Sequence, residues 1–143
     1  MSDFLFLNIY VYYFMNDILT YIYEQSCHNC IYGMGSTTID DIKDYVQYQI
    51  ENIISENELD IDIIELYVHG SRINGNPHKD SDLDVVLYYK GNMKEDSLFN
   101  ILHDDEYKDE LTYNKVYIDI NPIRDEETGS LASYIQKDKN YKK

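Results

Sequence analysis

The sequence predicts an α/β domain with a short mixed sheet flanked by helices, and three patterns indicate this fold class. Isoleucine and valine residues recur every three to four positions between residues 38 and 57, as on one face of an amphipathic helix. Two apolar runs, Leu66-Tyr67-Val68 and the run from Val85 to Tyr89, are typical of buried strands. Over residues 115–123, polar and apolar side chains alternate with the period of a further strand.

The N-terminal segment is the most apolar part of the chain. Residues 4–15 are mostly apolar and the pattern then becomes amphipathic, so we expect a helix over roughly residues 5–25. No Lys or Arg precedes the run, which argues against a secretory signal. Asp17 interrupts it before the roughly 20 residues that a membrane span needs, so we expect no membrane span. We expect residues 1–36 to form a tyrosine-rich helical extension and linker that packs on the domain, on a partner protein or on a second copy of the chain.

Capping and turn residues divide the rest of the chain into short elements. Thr38 and Asp41 have the spacing of a capping box. Gly70-Ser71 breaks the first strand, and a polar turn follows it. Pro122 ends the last strand or places it near a sheet edge. The predicted elements are a helix over 38–57, strands over 62–68 and 82–90, a short helix over 95–103, an acidic surface loop over 103–110, a strand over 115–123 and a last helix after residue 129.

Two acidic residues stand at the head of the second strand. Residues i and i+2 of a strand point to the same face, so Asp82 and Asp84 are expected to project side by side. Two carboxylates this close repel each other unless a cation lies between them. A hard divalent ion such as Mg²⁺ satisfies both and keeps room for water and phosphate oxygens. The alternative is a hairpin whose acidic residues are simply solvated.

The stretch GSRINGNPHKDSDLDVV, residues 70–86, resembles the active-site signature of the DNA polymerase β-like nucleotidyltransferases. More narrowly, it resembles the minimal nucleotidyltransferases, whose usual string is near G-S-x-A-x-G-x-x-x-x-S-D-hydrophobic-D-hydrophobic. Ile73 and Asn74 depart from that string, where a small residue and an Arg are common. Arg72, His78 and Lys79 are then the candidates for the basic contribution to the phosphate pocket. The matching residues are Gly70, Ser71, Gly75, Ser81, Asp82 and Asp84.

The resemblance implies the fold, the site and the cofactors. It extends over residues 37–143, which are expected to form a minimal polymerase β-like nucleotidyltransferase domain. It implies a third carboxylate on a later strand, and Asp119 is the candidate because it alternates with Ile118 and Ile120. Asp82, Asp84 and Asp119 would hold two Mg²⁺ ions, with ATP as the substrate. The expected nucleotide-binding residues are Gly70, Ser71, Arg72, Gly75 and Ser81.

The acceptor of the nucleotide is open to three interpretations. The formal net charge of −15 argues against a surface that tracks nucleic-acid phosphates and favours a cationic partner. Minimal nucleotidyltransferases are often antitoxins that adenylylate a tyrosine of a HEPN-domain ribonuclease toxin, and this resemblance implies such a partner. The second interpretation is an adenylyltransferase acting on an aminoglycoside-type antibiotic. The third is a binding module that neutralises a partner by contact alone.

The two cysteines carry no metal-site signature. A structural zinc site needs four ligands, and Cys27, His28 and Cys30 do not supply them. We expect two reduced thiols in a cytoplasmic protein.

Overall fold

The computed structural model describes residues 29–75, 77, 78 and 80–141, together with five residues of the N-terminal segment. These five are helical, and the remainder of the helix predicted over residues 5–25 lies outside the described residues. Within the described part of the chain, no helix combines the length and the apolarity that crossing a bilayer requires. The five residues are Val11, Phe14, Met15, Ile18 and Leu19.

The first long helix, α1, spans Ile39–Glu56 and confirms the helix predicted from periodicity. Its capping box is formed as expected, since the backbone N–H of Asp41 donates to the Thr38 hydroxyl at 3.1 Å and the N–H of Thr38 donates to the Asp41 carboxylate at 3.0 Å. One side of α1 is buried in the core, and each such side chain contributes roughly 1.5–3 kcal/mol by leaving water. The buried residues are Ile42, Val46, Ile50 and Ile53.

Four strands form one mixed sheet, which confirms the predicted α/β class. The strands are β1 (Ile61–His69), β2 (Leu83–Gly91), β3 (Thr112–Tyr113) and β4 (Val116–Ile123), and their order across the sheet is β1-β2-β4-β3. β2 pairs antiparallel with β1 and parallel with β4, whereas β3 and β4 are antiparallel. The sequence pattern does not predict β3, because two residues are too few to show a period.

Alternate residues of the central strand β2 pack into two different hydrophobic clusters. Leu83, Val85 and Leu87 belong to the larger cluster, which includes the buried side of α1. Val86 belongs to a smaller cluster with Ile123 of β4. The last helix, α4 (Leu131–Tyr141), covers this second face with Leu131, Tyr134 and Ile135. The period of two along β2 therefore separates a core face from a face that remains partly open at the end carrying the acidic residues.

Two shorter helices occupy the connections. α2 (Ser71–Asn74) follows β1 directly, and α3 (Glu95–Leu102) lies in the crossover between the parallel strands β2 and β4. The predicted surface loop over 103–110 is instead partly anchored. It contains a 3₁₀ turn over Asp105–Tyr107, and Tyr107 is buried and hydrogen-bonded through its hydroxyl to Asn57. The high charge of the segment predicts an exposed loop and does not indicate that Tyr107 is buried.

The residues just before α1 pack into the domain. Ile31 and Met34 are buried in the larger cluster, and Cys30 pairs with Thr38 in an isolated antiparallel bridge. Cys30 takes part in a disulfide bond, so the expectation of two reduced thiols is wrong. The bridge folds this short stretch back on itself, so that Cys30 lies beside Thr38 just before α1. The composition of the stretch does not predict this pairing. The division of the chain at residues 36 and 37 stays a prediction.

Candidate active site

The Gly70-Ser71 turn ends β1 and reverses the chain into α2. Gly70 has φ 98° and ψ −169°, a conformation that is almost exclusive to glycine. A Cβ atom at this position would lie 2.4 Å from Oδ2 of Asp84. The backbone of the turn therefore lies directly against the second carboxylate of the D-x-D sequence. A glycine is needed here for two reasons, the positive φ and this close approach to Asp84.

The sheet register brings the predicted carboxylates to one face. Asp84 of β2 and Asp119 of β4 are direct partners in the parallel ladder, and strand neighbours lie about 4.8 Å apart. Both point away from the larger core cluster, because the residues flanking them on each strand are buried in it. Asp82 lies just before β2 with the same alternation and is exposed. The structure thus makes Asp84 and Asp119 neighbours on one face, with Asp82 two residues before Asp84, and their joint role as metal ligands stays a prediction.

Asp119 is held by a histidine that the sequence analysis does not assign. His103 follows α3, and its Nε2 lies 2.7 Å from Oδ1 of Asp119. Its Nδ1 lies 2.8 Å from the carbonyl oxygen of Phe99, and the imidazole stacks on the Phe99 ring with centroids 3.7 Å apart. A carboxylate and a carbonyl only accept, so the imidazolium donates to both and a neutral ring to one of them. In the sequence, His103 is distinguished only by its position after a short predicted helix, and that position does not predict a contact with Asp119.

The donor set fits a hard divalent cation in its chemistry. The three carboxylates predicted as ligands would supply the oxygen atoms that Mg²⁺ prefers. In the described residues, no group of three acidic, histidine or cysteine side chains is already gathered around one point. One carboxylate oxygen of Asp119, Oδ1, lies at hydrogen-bond distance from His103. The second oxygen has its own lone pairs, which can bind a cation. Asp82 and Asp84 would therefore contribute to holding the ion from the head of β2, and Asp119 would contribute through its second oxygen.

The carboxylates make the local electrostatic potential negative, which favours the binding of a cation. Burial raises the pKa of Tyr117, and the negative charges of Asp119 and Asp82 raise it further. Burial is also the main cause of the raised pKa of Tyr134, to which the charge of Asp84 contributes. Two tyrosines on different elements thus respond to different carboxylates of the acidic face, Tyr117 to Asp82 and Asp119 and Tyr134 to Asp84. A cation between these carboxylates would be stabilised by the field that disfavours the tyrosinates.

The loop between Gly-Ser and D-x-D is held together by Arg72. This side chain is 5% exposed, and its guanidinium donates to the carbonyl oxygens of Ser81 at 2.8 Å and of Tyr32 at 2.9 Å. The Ser81 hydroxyl accepts from the backbone N–H of His78 at 2.7 Å. Gly75 adopts a left-handed conformation at the end of α2 with the Tyr32 ring against it. These contacts shape the loop, and direct contact of Arg72, Gly75 and Ser81 with a nucleotide stays a prediction.

A pocket adjoins the carboxylates on the side of β4. Its volume is about 460 Å³, which is within the usual range for small-ligand sites. It shares Asp82 with the D-x-D sequence, so a group bound there lies beside the acidic face. The lining residues are Asp82, His103, Asp104, Asp105, Lys108 and Tyr117.

The domain is a small α/β fold whose mixed sheet carries Asp84 and Asp119 on neighbouring strands, directly beside the Gly-Ser turn. The family described as polymerase beta, nucleotidyltransferase, matches residues 48–140, which is more than half of the chain. The chain therefore belongs to this nucleotidyltransferase family, and its sheet and flanking helices are consistent with the minimal form of the fold. Neither the curated proteins nor the solved structures gave a match.

Proposed function

We propose that this protein transfers AMP from ATP to a hydroxyl group of a partner protein. The observation that supports it most directly is the ladder pairing of Asp84 with Asp119, with the Gly70 turn against the Asp84 carboxylate. This arrangement lets a triphosphate approach the backbone of the turn and the acidic face at once. Family membership supports the general reaction, and the finer choice of nucleotide and acceptor is part of the proposal.

Each residue of the site has a distinct role in this proposal. Asp82 and Asp84 would hold both of two Mg²⁺ ions, and Asp119 would hold the one nearer the acceptor hydroxyl, which is the acceptor-side ion. When bound, the ions neutralise the triphosphate and lower the pKa of the acceptor hydroxyl. Gly70 allows the phosphates to approach the backbone, and Ser71 offers a hydroxyl and an N–H group beside them. Positioning and charge neutralisation supply most of the rate enhancement in such chemistry.

The transfer step exchanges one phosphorus–oxygen bond for another. The acceptor oxygen forms a bond to the α-phosphorus, and the bond from the α-phosphorus to the oxygen bridging to the β-phosphorus breaks in line with it. Pyrophosphate leaves with that bridging oxygen, and the hydroxyl proton passes to solvent. The acceptor then carries AMP through a phosphodiester.

The proposed acceptor is a tyrosine of a HEPN-type ribonuclease toxin in the cytoplasm. The net charge of −15 supports a basic partner, because opposite charge speeds encounter. The described residues of the N-terminal segment add an apolar surface, since Phe14 and Leu19 are each 57% exposed. A partner protein or a second copy of the chain would cover it.

A second candidate acceptor is a small polycationic antibiotic of the aminoglycoside type. The observation that favours it is the adjoining pocket, where three aspartates face a single lysine. Its volume of about 460 Å³ suits a small ligand better than a folded partner. A non-catalytic binding module is the third alternative, and it predicts that no nucleotide is consumed.

The test mixes the protein, α-labelled ATP, Mg²⁺ and one acceptor at a time: the neighbouring gene product or kanamycin. Label on the protein partner supports the proposal, and label on kanamycin selects the second candidate. Asp82→Ala should abolish labelling. The matched control is Asp62→Ala, because Asp62 is an exposed aspartate that pairs with Lys90 at the far end of β1. Neutralisation of the partner by the Asp82→Ala variant, as strong as by the unaltered protein, would establish the binding-module alternative.

A further inference from the structure

We propose that His103 is a positioning residue that orients Asp119 for the acceptor-side metal ion. This inference rests on the proposed function, because it assigns a support to one of the proposed metal ligands. The Nε2 of His103 lies 2.7 Å from Oδ1 of Asp119, a short distance that is typical of hydrogen bonds to ionised groups. The Asp119 side chain is 43% exposed, so without this bond the carboxylate would be free to rotate at the surface.

The imidazole ring is itself held on two further sides. Its Nδ1 lies 2.8 Å from the Phe99 carbonyl oxygen, one helical turn earlier on α3. The Phe99 ring stacks on it with an interplanar angle of 19° and a centroid separation of 3.7 Å. These two contacts, one at an edge and one at a face, restrict the rotation of the ring. The Nε2 atom is therefore aimed at Asp119 before any ligand binds.

Helix α3, which carries the histidine, is anchored along its length. The Glu95 carboxylate at its start accepts from the backbone N–H groups of Arg124 and Thr128, each at 2.9 Å. Leu98 and Leu102 are buried, at 0% and 1% exposure. The beginning of α3 is thus fixed near the end of β4, and its C-terminal end is fixed where β4 carries Asp119. Supports on rigid elements hold a ligand more accurately than supports on loops.

Holding one oxygen of Asp119 leaves the carboxylate able to bind a metal. Each carboxylate oxygen has two lone pairs, so Oδ1 can accept from His103 while Oδ2 serves as a ligand. A partner that fixes a ligand in this way usually strengthens metal binding or activity by about 10- to 100-fold. The effect should therefore fall on the ion held by Asp119.

The first experiment counts bound Mn²⁺ by electron paramagnetic resonance in the presence of α,β-methylene ATP, which cannot transfer AMP. The unaltered protein should bind two ions. His103→Leu should lower the affinity for the more weakly bound ion by about 10-fold or more. The affinities for the nucleotide and for the more tightly bound ion should be unchanged. His103→Gln keeps a terminal N–H donor and should restore most of that affinity. Thermal unfolding of both variants shows whether they fold equally well.

The second experiment needs neither metal nor nucleotide. Proton–nitrogen spectra of the protein with ¹⁵N-labelled histidine report the Nε2 environment of His103, assigned with the His103→Gln variant. Asp119→Asn should shift that resonance, whereas Asp62→Asn should not. This measurement uses variants that keep His103, so it decides the pairing even if His103→Leu does not fold.

The outcomes separate this inference from the proposed function. Absence of nucleotide and Mn²⁺ binding by the unaltered protein would overturn the proposed function and the inference with it. Normal binding by the unaltered protein together with equal Mn²⁺ affinity in His103→Leu would overturn the inference alone. An unshifted His103 resonance in Asp119→Asn would also overturn it. Selective weakening of one ion, restored by glutamine, would establish it.

Discussion

Replacing Gly70 by alanine should slow transfer and also lower the stability of the fold. The new Cβ would lie 2.4 Å from Oδ2 of Asp84, whereas an ordinary contact begins at 3.4 Å, so the carboxylate must retreat by about 1 Å. A displacement of that size can cost about 100-fold in rate, or about 2.7 kcal/mol of transition-state stabilisation. The backbone strain at φ 98° adds roughly 1–3 kcal/mol of lost folding stability.

Gly129→Ala provides the matched control for this variant. Gly129 also has a positive φ, 115°, but a Cβ there would meet nothing within 4 Å. It should therefore lose stability through strain and keep the rate of transfer. The assay compares initial rates of label transfer from α-labelled ATP at equal fractions of folded protein, with urea unfolding as the stability measurement. A folded Gly70→Ala variant that transferred AMP within about threefold of the unaltered rate would refute the argument, because the position of Asp84 would then not matter.

Three further changes test the site and its frame. Asp82→Ala should reduce the rate of transfer about a thousandfold, or by about 4 kcal/mol of transition-state stabilisation. Asp119→Ala should reduce the rate of transfer more than it reduces ATP affinity measured by calorimetry. Equal losses of ATP affinity in the two variants would contradict the division of roles between the two ions. Arg72→Met should lower the free energy of unfolding in urea by about 3 kcal/mol, because two carbonyl oxygens lose a charged donor; an unchanged value would show that the loop does not depend on Arg72. Burial raises the pKa of Tyr89 to about 12, so its contribution to stability is complete below pH 10 and is lost as the pH rises towards 12. Between pH 7 and pH 11, the free energy of unfolding in urea should therefore fall by about 1 kcal/mol less for Tyr89→Phe than for the unaltered protein. An equal fall would contradict the raised pKa of Tyr89.

The local pattern of the chain determined the elements that have a strong period. The spacing of apolar residues from Ile39 to Ile54 is sufficient to predict α1, and Thr38 with Asp41 is sufficient to predict its start. The period of two around Asp84 and Asp119 predicts that each shares the face opposite its buried neighbours. These features depend on residues within one turn or one strand. Sequence alone therefore determines them, because backbone geometry converts spacing directly into direction.

Tertiary structure decided which of these residues meet. The pairing of Asp84 with Asp119 depends on the parallel register of β2 and β4, which are separated by a crossover that contains α3. The contact between His103 and Asp119 depends on where that crossover anchors α3, and no period in the sequence reports it. The anchoring of Arg72 by carbonyl groups of two separate loops is equally long-range. Such contacts arise from packing between elements, whose relative placement is set by the shared core rather than by local spacing.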